Sequence, residues 1–181
     1  MAAAEKSFTL VEPTPELRDA FLDMAQEFRT SGDDRYEDAI EDFDAFVQRC
    51  RDASRGVGLR PGIVPSTSLW LVLHGHRVLA CSHLRHHLTP ELERFGGHIG
   101  YAVRPSERRK GHGTILLALT LSKARKHGLV RVLVTCDDDN IGSARVIEKN
   151  GGVFHDMGTN TRSGKPLRRY WIDLQPARSP R

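Results

Sequence analysis

Arg104-Pro105-Ser106-Glu107-Arg108-Arg109-Lys110-Gly111-His112-Gly113-Thr114 stands between two runs of different periodicity. Ahead of it, His98-Ile99-Gly100-Tyr101-Ala102-Val103 alternates large and small side chains as a strand does. Behind it, Ile115-Leu116-Leu117-Ala118-Leu119-Thr120-Leu121 opens a helix that runs to about His127, with Gly128 as its C-cap. A basic, glycine-containing loop that feeds a helix offers unpaired backbone N–H groups and the positive end of the helix dipole. The junction therefore suits an anion, most naturally phosphate. Gly111 and Gly113 let the backbone approach such a ligand with no Cβ in the way. Arg108, Arg109 and Lys110 surround it with positive charge.

The spacing matches neither the Gly-x-x-x-x-Gly-Lys-Ser/Thr of a nucleotide P-loop nor Gly-x-Gly-x-x-Gly. It reads Val103-x-Pro105-x-x-Arg108-x-x-Gly111-x-Gly113, which resembles the acetyl-CoA pyrophosphate loop of the GNAT N-acetyltransferase superfamily. The strand-like Val130-Arg131-Val132-Leu133-Val134-Thr135 follows, then Asn140-Ile141-Gly142-Ser143-Ala144-Arg145-Val146-Ile147-Glu148-Lys149-Asn150-Gly151-Gly152. These are similar to the superfamily's next strand, its Asn-headed helix and its Glu-Lys-x-Gly helix end. The resemblance is sharp over residues 97–154 and implies an α+β fold. A single GNAT-like domain is expected over residues 1–175, built on a mixed, mostly antiparallel sheet with helices on both faces. Its fourth and fifth strands are expected to splay and admit the pantetheine arm. Residues 176–181 read as a basic disordered tail.

A chain of 181 residues suits one domain. With 39% hydrophobic and 28% charged residues it has the composition of a soluble globular protein. No apolar stretch approaches the roughly 20 residues of a membrane span, and Met1-Ala2-Ala3-Ala4-Glu5-Lys6 lacks a signal peptide's apolar core. Cys50, Cys81 and Cys136 are an odd count without metal-ligand spacing, which points to reduced thiols in a cytoplasmic protein, with no metal. The net charge of +4 is unevenly spread. Basic residues gather at the loop, around Arg162 to Arg169 and in the tail; acidic ones gather in Asp33, Asp34, Glu37, Asp38, Glu41, Asp42 and Asp44. No basic stripe interleaved with aromatics marks a nucleic-acid binder. A basic pole for an anionic cofactor and an acidic pole for a cationic substrate is the expected arrangement.

Phe8–Val11 reads as a first strand, and Thr14 as the cap of a helix over 15–28 with Leu17, Phe21, Met24, Ala25 and Phe28 on one face. A second helix is expected over 36–51, then a long loop over 52–68. Leu69-Trp70-Leu71-Val72-Leu73 and residues 78–84 flank a hairpin turn at His74-Gly75-His76-Arg77. After Gly152 a strand begins at Val153-Phe154. A polar loop is expected over 156–166 and a last strand over 168–174.

Acetyl transfer from a thioester to an amine requires a grip on the cofactor, a deprotonated amine, a stabilised oxyanion and a protonated leaving thiolate. The grip falls to backbone N–H groups from about Arg109 to Thr114, including those of Gly111, His112 and Gly113, supplemented by the Arg108 and Lys110 side chains. The resemblance implies that Ala102 and Val103 pair with the pantetheine amides, and that a main-chain N–H there faces the thioester carbonyl. It likewise implies that Asn140 and Ser143 lie beside the cofactor, although Asn140 also suits a simple helix cap. Many relatives carry a Glu where this chain has Gly97 beside His98. His98 is thus a candidate base, and Tyr101 competes with it because a bulge would change which residues face the cleft. The superfamily's usual acid, a Tyr, is here Ile147, which donates no proton. Cys136 lacks the neighbours of an activated nucleophile, and His83, His86 and His87 lack the spacing of a metal site. The resemblance implies that the first two helices and their connection roof the acceptor cleft, which makes Asp33, Asp34, Tyr36 and Glu37 candidate acceptor-binding residues. The expected activity is transfer from acetyl-CoA, as co-substrate, to a primary amine, either a small cationic amine or a peptide or protein amine, by direct attack in a ternary complex. A non-catalytic acetyl-CoA sensor is the alternative, with no nucleic acid or membrane partner and a monomeric or homodimeric state.

Overall fold

Alternation along the strands sorts the chain's apolar residues onto two faces of one sheet. The computed structural model describes residues 7–160 and 163–174; the expected tail at 176–181 lies outside them. The strands are β1 (Phe8–Val11), β2 (Ser66–Leu73), β3 (Arg77–Arg85), β4 (Ile99–Val103), β5 (Arg131–Asp137), β6 (Val153–Thr159) and β7 (Pro166–Asp173). They lie in the order β1-β2-β3-β4-β5-β7-β6. Every neighbouring pair is antiparallel except β4 and β5. The helices are α1 (Arg18–Thr30), α2 (Glu37–Glu41), α3 (Phe43–Arg55), α4 (Pro90–Phe95), α5 (His112–Lys126) and α6 (Ile141–Lys149).

Adjacent residues of β3 show the two layers. Cys81 packs in the cluster that α1 and α3 form with Trp70, whereas the Ser82 hydroxyl is hydrogen-bonded to Thr120 of α5 at 2.8 Å. On the α1 face, Phe21 stacks on Trp70 with centroids 4.4 Å apart, and Phe43 and Phe46 close around the pair. Burying side chains of this size contributes about 1.5–3 kcal/mol each. On the other face α5 buries Leu116, Leu117, Thr120, Leu121 and Ala124, and α6 adds Ala144 and Ile147.

Several elements differ from the sequence expectation for local reasons. The helix expected over 36–51 is two helices broken at Asp42, whose carboxylate caps α3 by accepting from the Ala45 N–H. Because α3 continues to Arg55 and closes on the left-handed Gly56, and β2 starts at Ser66, the long loop shrinks to residues 56–65. Thr14 does not cap α1; its hydroxyl bonds the Glu16 carboxylate, and a 3-10 turn over Pro15–Leu17 precedes the helix. The segment before β4 is α4, which Thr89 caps. The polar loop expected over 156–166 is mostly strand: β6 runs to Thr159 and pairs with β7, reinforced by the ion pair of Asp156 with Arg169.

Two features set the stage for function. β4 and β5 share one paired position, Ile99 with Val134, and then part. At the far end of β4, Arg104 turns the chain toward α5. Its guanidinium is buried, with an ion pair to Asp23 at 2.5 Å and to Glu27 at 2.6 Å, both on α1. Glu27 also accepts from the Ser106 N–H at 3.1 Å, so α1 is tied to the entry of the basic loop.

Candidate acyl-donor and acceptor cleft

At the head of α5 the chain must reverse tightly. Gly111 has φ +85°, a left-handed conformation that a side chain would strain, and Arg109 takes φ +60°. The first helical bonds come from Thr114 and Ile115, both to the Gly111 carbonyl. The N–H groups of residues 109–113 have no acceptor among the described residues, as expected of a helix N-terminus. Gly113 does different work. A Cβ there would lie 3.3 Å from Val146 and 3.4 Å from Val103, so the glycine lets α5, α6 and β4 close on one another.

This helix head opens into a cleft of about 480 Å³. Its floor is β4. The Arg104 N–H bonds Leu79 of β3, and because main-chain direction alternates along a strand, the polar groups of Val103 and Tyr101 face the gap on the β5 side. The Val103 carbonyl accepts there from the Arg108 Nε at 3.3 Å. Tyr101 projects toward α6, where its hydroxyl lies 2.6 Å from the Ser143 hydroxyl. Burial pushes the Tyr101 phenol up to about 12 despite the Ser143 bond. Asn140 caps α6, accepting from the Ser143 N–H at 3.0 Å, and lines the same wall. Phe28 and Arg35 form the opposite wall. A smaller hollow of about 230 Å³ continues past Tyr101 between the parted strands and reaches Thr135 and Cys136.

Of the residues singled out in the sequence, Tyr101, Ala102, Val103, Arg108, Arg109, Gly111, His112, Gly113, Thr114, Asn140 and Ser143 line this one cleft. Lys110 does not line it; its ammonium is 3.1 Å from Glu107. His98 is buried at the root of the strand split. Its N–H donates to the Leu133 carbonyl at 2.7 Å, and its Nδ1 accepts from the Leu133 N–H at 2.9 Å. The ring therefore replaces one rung of the β4–β5 ladder. Burial and the nearby Arg85 lower its pKa to about 4. Neighbouring Gly97, at φ +65°, has no room for the Glu of the related pattern, since a Cβ would fall 2.5 Å from the Leu133 carbonyl oxygen. Ile147 is fully buried in the core. Burial raises the Cys136 thiol to about 11, away from thiolate chemistry.

The acidic run is largely spent on internal pairs. Asp33 grips Arg35, Glu37 pairs with Arg29, Asp38 with Arg49 and Asp44 with Arg18. Tyr36 packs edge-on against Phe21 and Phe28, and Asp34 is exposed. None of Asp33, Asp34, Tyr36 and Glu37 lines the cleft. His83 lies over Gly100, where a Cβ would be 2.3 Å from its ring, and His86 stacks on His127. Among the described residues no group of three His, Cys, Asp or Glu side chains could hold a metal ion, and no helix is long and apolar enough to cross a membrane. Phe28, Arg35 and Val146 of the cleft wall were not singled out from sequence as site residues. Phe28 reads as ordinary helix core, Val146 carries no polar group to mark it, and Arg35 is hidden in a run of acids.

The sequence profile of the acetyltransferase (GNAT) family matches residues 18–152. No curated protein matches the chain. Among solved structures, RimJ of Mycobacterium smegmatis in complex with CoA-disulfide is similar, with a TM-score of 0.72 at 14% identity over 95% of this chain and 84% of that one. The structure of yncA from Salmonella typhimurium with its cofactor acetyl-CoA gives 0.62 at 15% identity over 96% and 98%. An acetyl transferase of Salmonella typhimurium that modifies the N-terminal serine of ribosomal protein L7/L12 gives 0.65 at 13% identity over 93% and 96%.

Proposed function

The chain belongs to the GNAT acetyltransferase family, and we propose that it moves an acetyl group from acetyl-CoA to a primary amine by direct attack in a ternary complex. One observation carries the reading: the hollow where β4 leaves β5 and the cleft at the amide-rich head of α5 adjoin, with Tyr101, Asn140 and Ser143 lining both. A pyrophosphate suits the N–H groups of residues 109–113, with Arg108 and Arg109 beside them. An extended pantetheine suits the free edge of β4, as an added strand suits a sheet. Named relatives hold acetyl-CoA or coenzyme A in the same fold.

Within that frame the acceptor attacks as its free amine, a carbon–nitrogen bond forms as the carbon–sulfur bond breaks, the nitrogen gives up one proton to water, and the thiolate takes up one. The Val103 main-chain N–H stabilises the oxyanion, a role in which one donor is worth roughly 3 kcal/mol. Tyr101 supplies the leaving-group proton in place of the absent tyrosine at Ile147, and Ser143 orients its hydroxyl. With its phenol raised to about 12, Tyr101 keeps its proton throughout the neutral range. His98 holds the strand junction and stays neutral.

The buried, hydroxyl-free Ile147 favours a second reading, a sensor that binds acetyl-CoA without turnover. Titration calorimetry with coenzyme A, followed by release of free thiol from acetyl-CoA across a panel of amines, separates the two. Micromolar binding with thiol release is expected. Binding without release on any amine would leave the sensor, and no binding would end both readings.

A further inference from the structure

We propose that Arg35 is a specificity residue that receives a carboxylate on the acceptor, so that the substrate is a primary amine carrying an acidic group. This rests on the acetyl-transfer reading above. Arg35 lines the cleft on the α1 side, the side to which Ala102 of β4 points. That wall lies across from Tyr101 and Ser143, so an acceptor entering between them passes the guanidinium. Its carbon lies 5.1 Å from the Phe28 ring centroid, and that of Arg108 lies 5.9 Å from the same centroid.

The hydrogen bonds show which edges are taken. Asp33 holds Arg35 through Nε and Nη2, at 2.6–2.9 Å. Arg108 spends Nε on the Val103 carbonyl. The Nη1 of Arg35 and both terminal nitrogens of Arg108 make no hydrogen bond or ion pair among the described residues. Asp33 thus fixes the guanidinium plane and leaves Nη1 unbonded, on a side chain that lines the cleft. Hydrogen bonds from Arg35, helped by its charge, outweigh burial and hold the Asp33 carboxyl below its usual range, so it stays ionised and keeps its grip. Arg35 and Arg108 both lie against Phe28 on this wall, and Asp33 pairs with Arg35 alone. The polarity is the reverse of what the run of acids suggested. A planar fork with a free edge beside an aromatic ring matches a carboxylate joined to an apolar body, as in an amino acid.

The test is acetyl-CoA-dependent thiol release with matched amines: phenylalanine, leucine and methionine, each against its α-amide and its decarboxylated amine. The wild-type protein is expected to favour the carboxylate member by about tenfold to hundredfold in kcat/KM, the range of a charge-assisted hydrogen bond. Arg35→Gln should collapse that ratio toward one through the acceptor KM, and Arg35→Lys should recover part of it. The dissociation constant for coenzyme A should stay within about threefold, and melting curves check that each variant is folded. Equal use of carboxylate and amide by the wild type would overturn the assignment. So would an Arg35→Gln defect that appears in coenzyme A affinity, because the arginine would then serve the cofactor. Coenzyme A binding with no turnover of any amine would instead overturn the acetyl-transfer reading beneath it.

Discussion

His98, just ahead of β4, and Tyr101, three residues on within the strand, do opposite work. Tyr101 reaches the cleft and bonds Ser143; His98 turns into the seam and bonds Leu133. The cause is Gly97, whose left-handed backbone rotates the chain just before β4 so that His98 closes the ladder. Tyr101→Phe removes the proton donor while keeping the ring that packs near Gly113. It is expected to lower kcat by about tenfold to hundredfold with coenzyme A affinity little changed, measured by thiol release and calorimetry.

At the scale of elements, the head of α5 is positioned from outside itself. Arg104 joins the end of β4 to α1, and Glu27 joins α1 to Ser106 in the basic loop. Burial raises the Glu27 carboxyl, but hydrogen bonds from Arg104 and Ser106 outweigh it and hold the group ionised. The pair is asymmetric: the Arg104 side chain is 4% exposed, whereas that of Asp23 is 64% exposed. Removing both carboxylates strands a buried charge, whereas removing the arginine leaves carboxylates that water can reach. The double variant Asp23→Ala/Glu27→Ala should therefore destabilise by about 3–5 kcal/mol, and Arg104→Met by clearly less. Denaturant unfolding of the two variants checks the order.

For the whole molecule, acid is the weak direction. His98 is buried and His83 partly buried, and both are lowered to about 4 from the ordinary value of 6.5, chiefly by desolvation. The unfolded chain therefore binds more protons than the native one between pH 6.5 and about 4. Stability is full above pH 6.5 and falls as pH drops through that window, by about 1–3 kcal/mol per ring on linkage grounds. Chemical unfolding at pH 7.5 and pH 4.5 should show the loss, and His83→Asn should reduce it. A pH-independent midpoint would contradict the burial of both rings in neutral form.

Local chemistry made much of the architecture legible in the sequence. The loop from Arg104 to Thr114, the Asn140 cap and the alternation of β4 each depend on near neighbours along the chain, and the family followed from them. Asp42 and the strand at 156–159 were misread because a capping carboxylate and a pairing partner on β7 decide them. The partners of charged side chains were beyond reach for the same reason. Asp33 to Asp44 looked like an acidic mouth, yet arginines of α1, α3 and the intervening turn neutralise most of it, and a cation faces the cleft. Periodicity reports which face a residue occupies; only the packed tertiary structure decides what that face meets, because Coulomb and hydrogen-bond energies depend on distances that sequence separation does not encode.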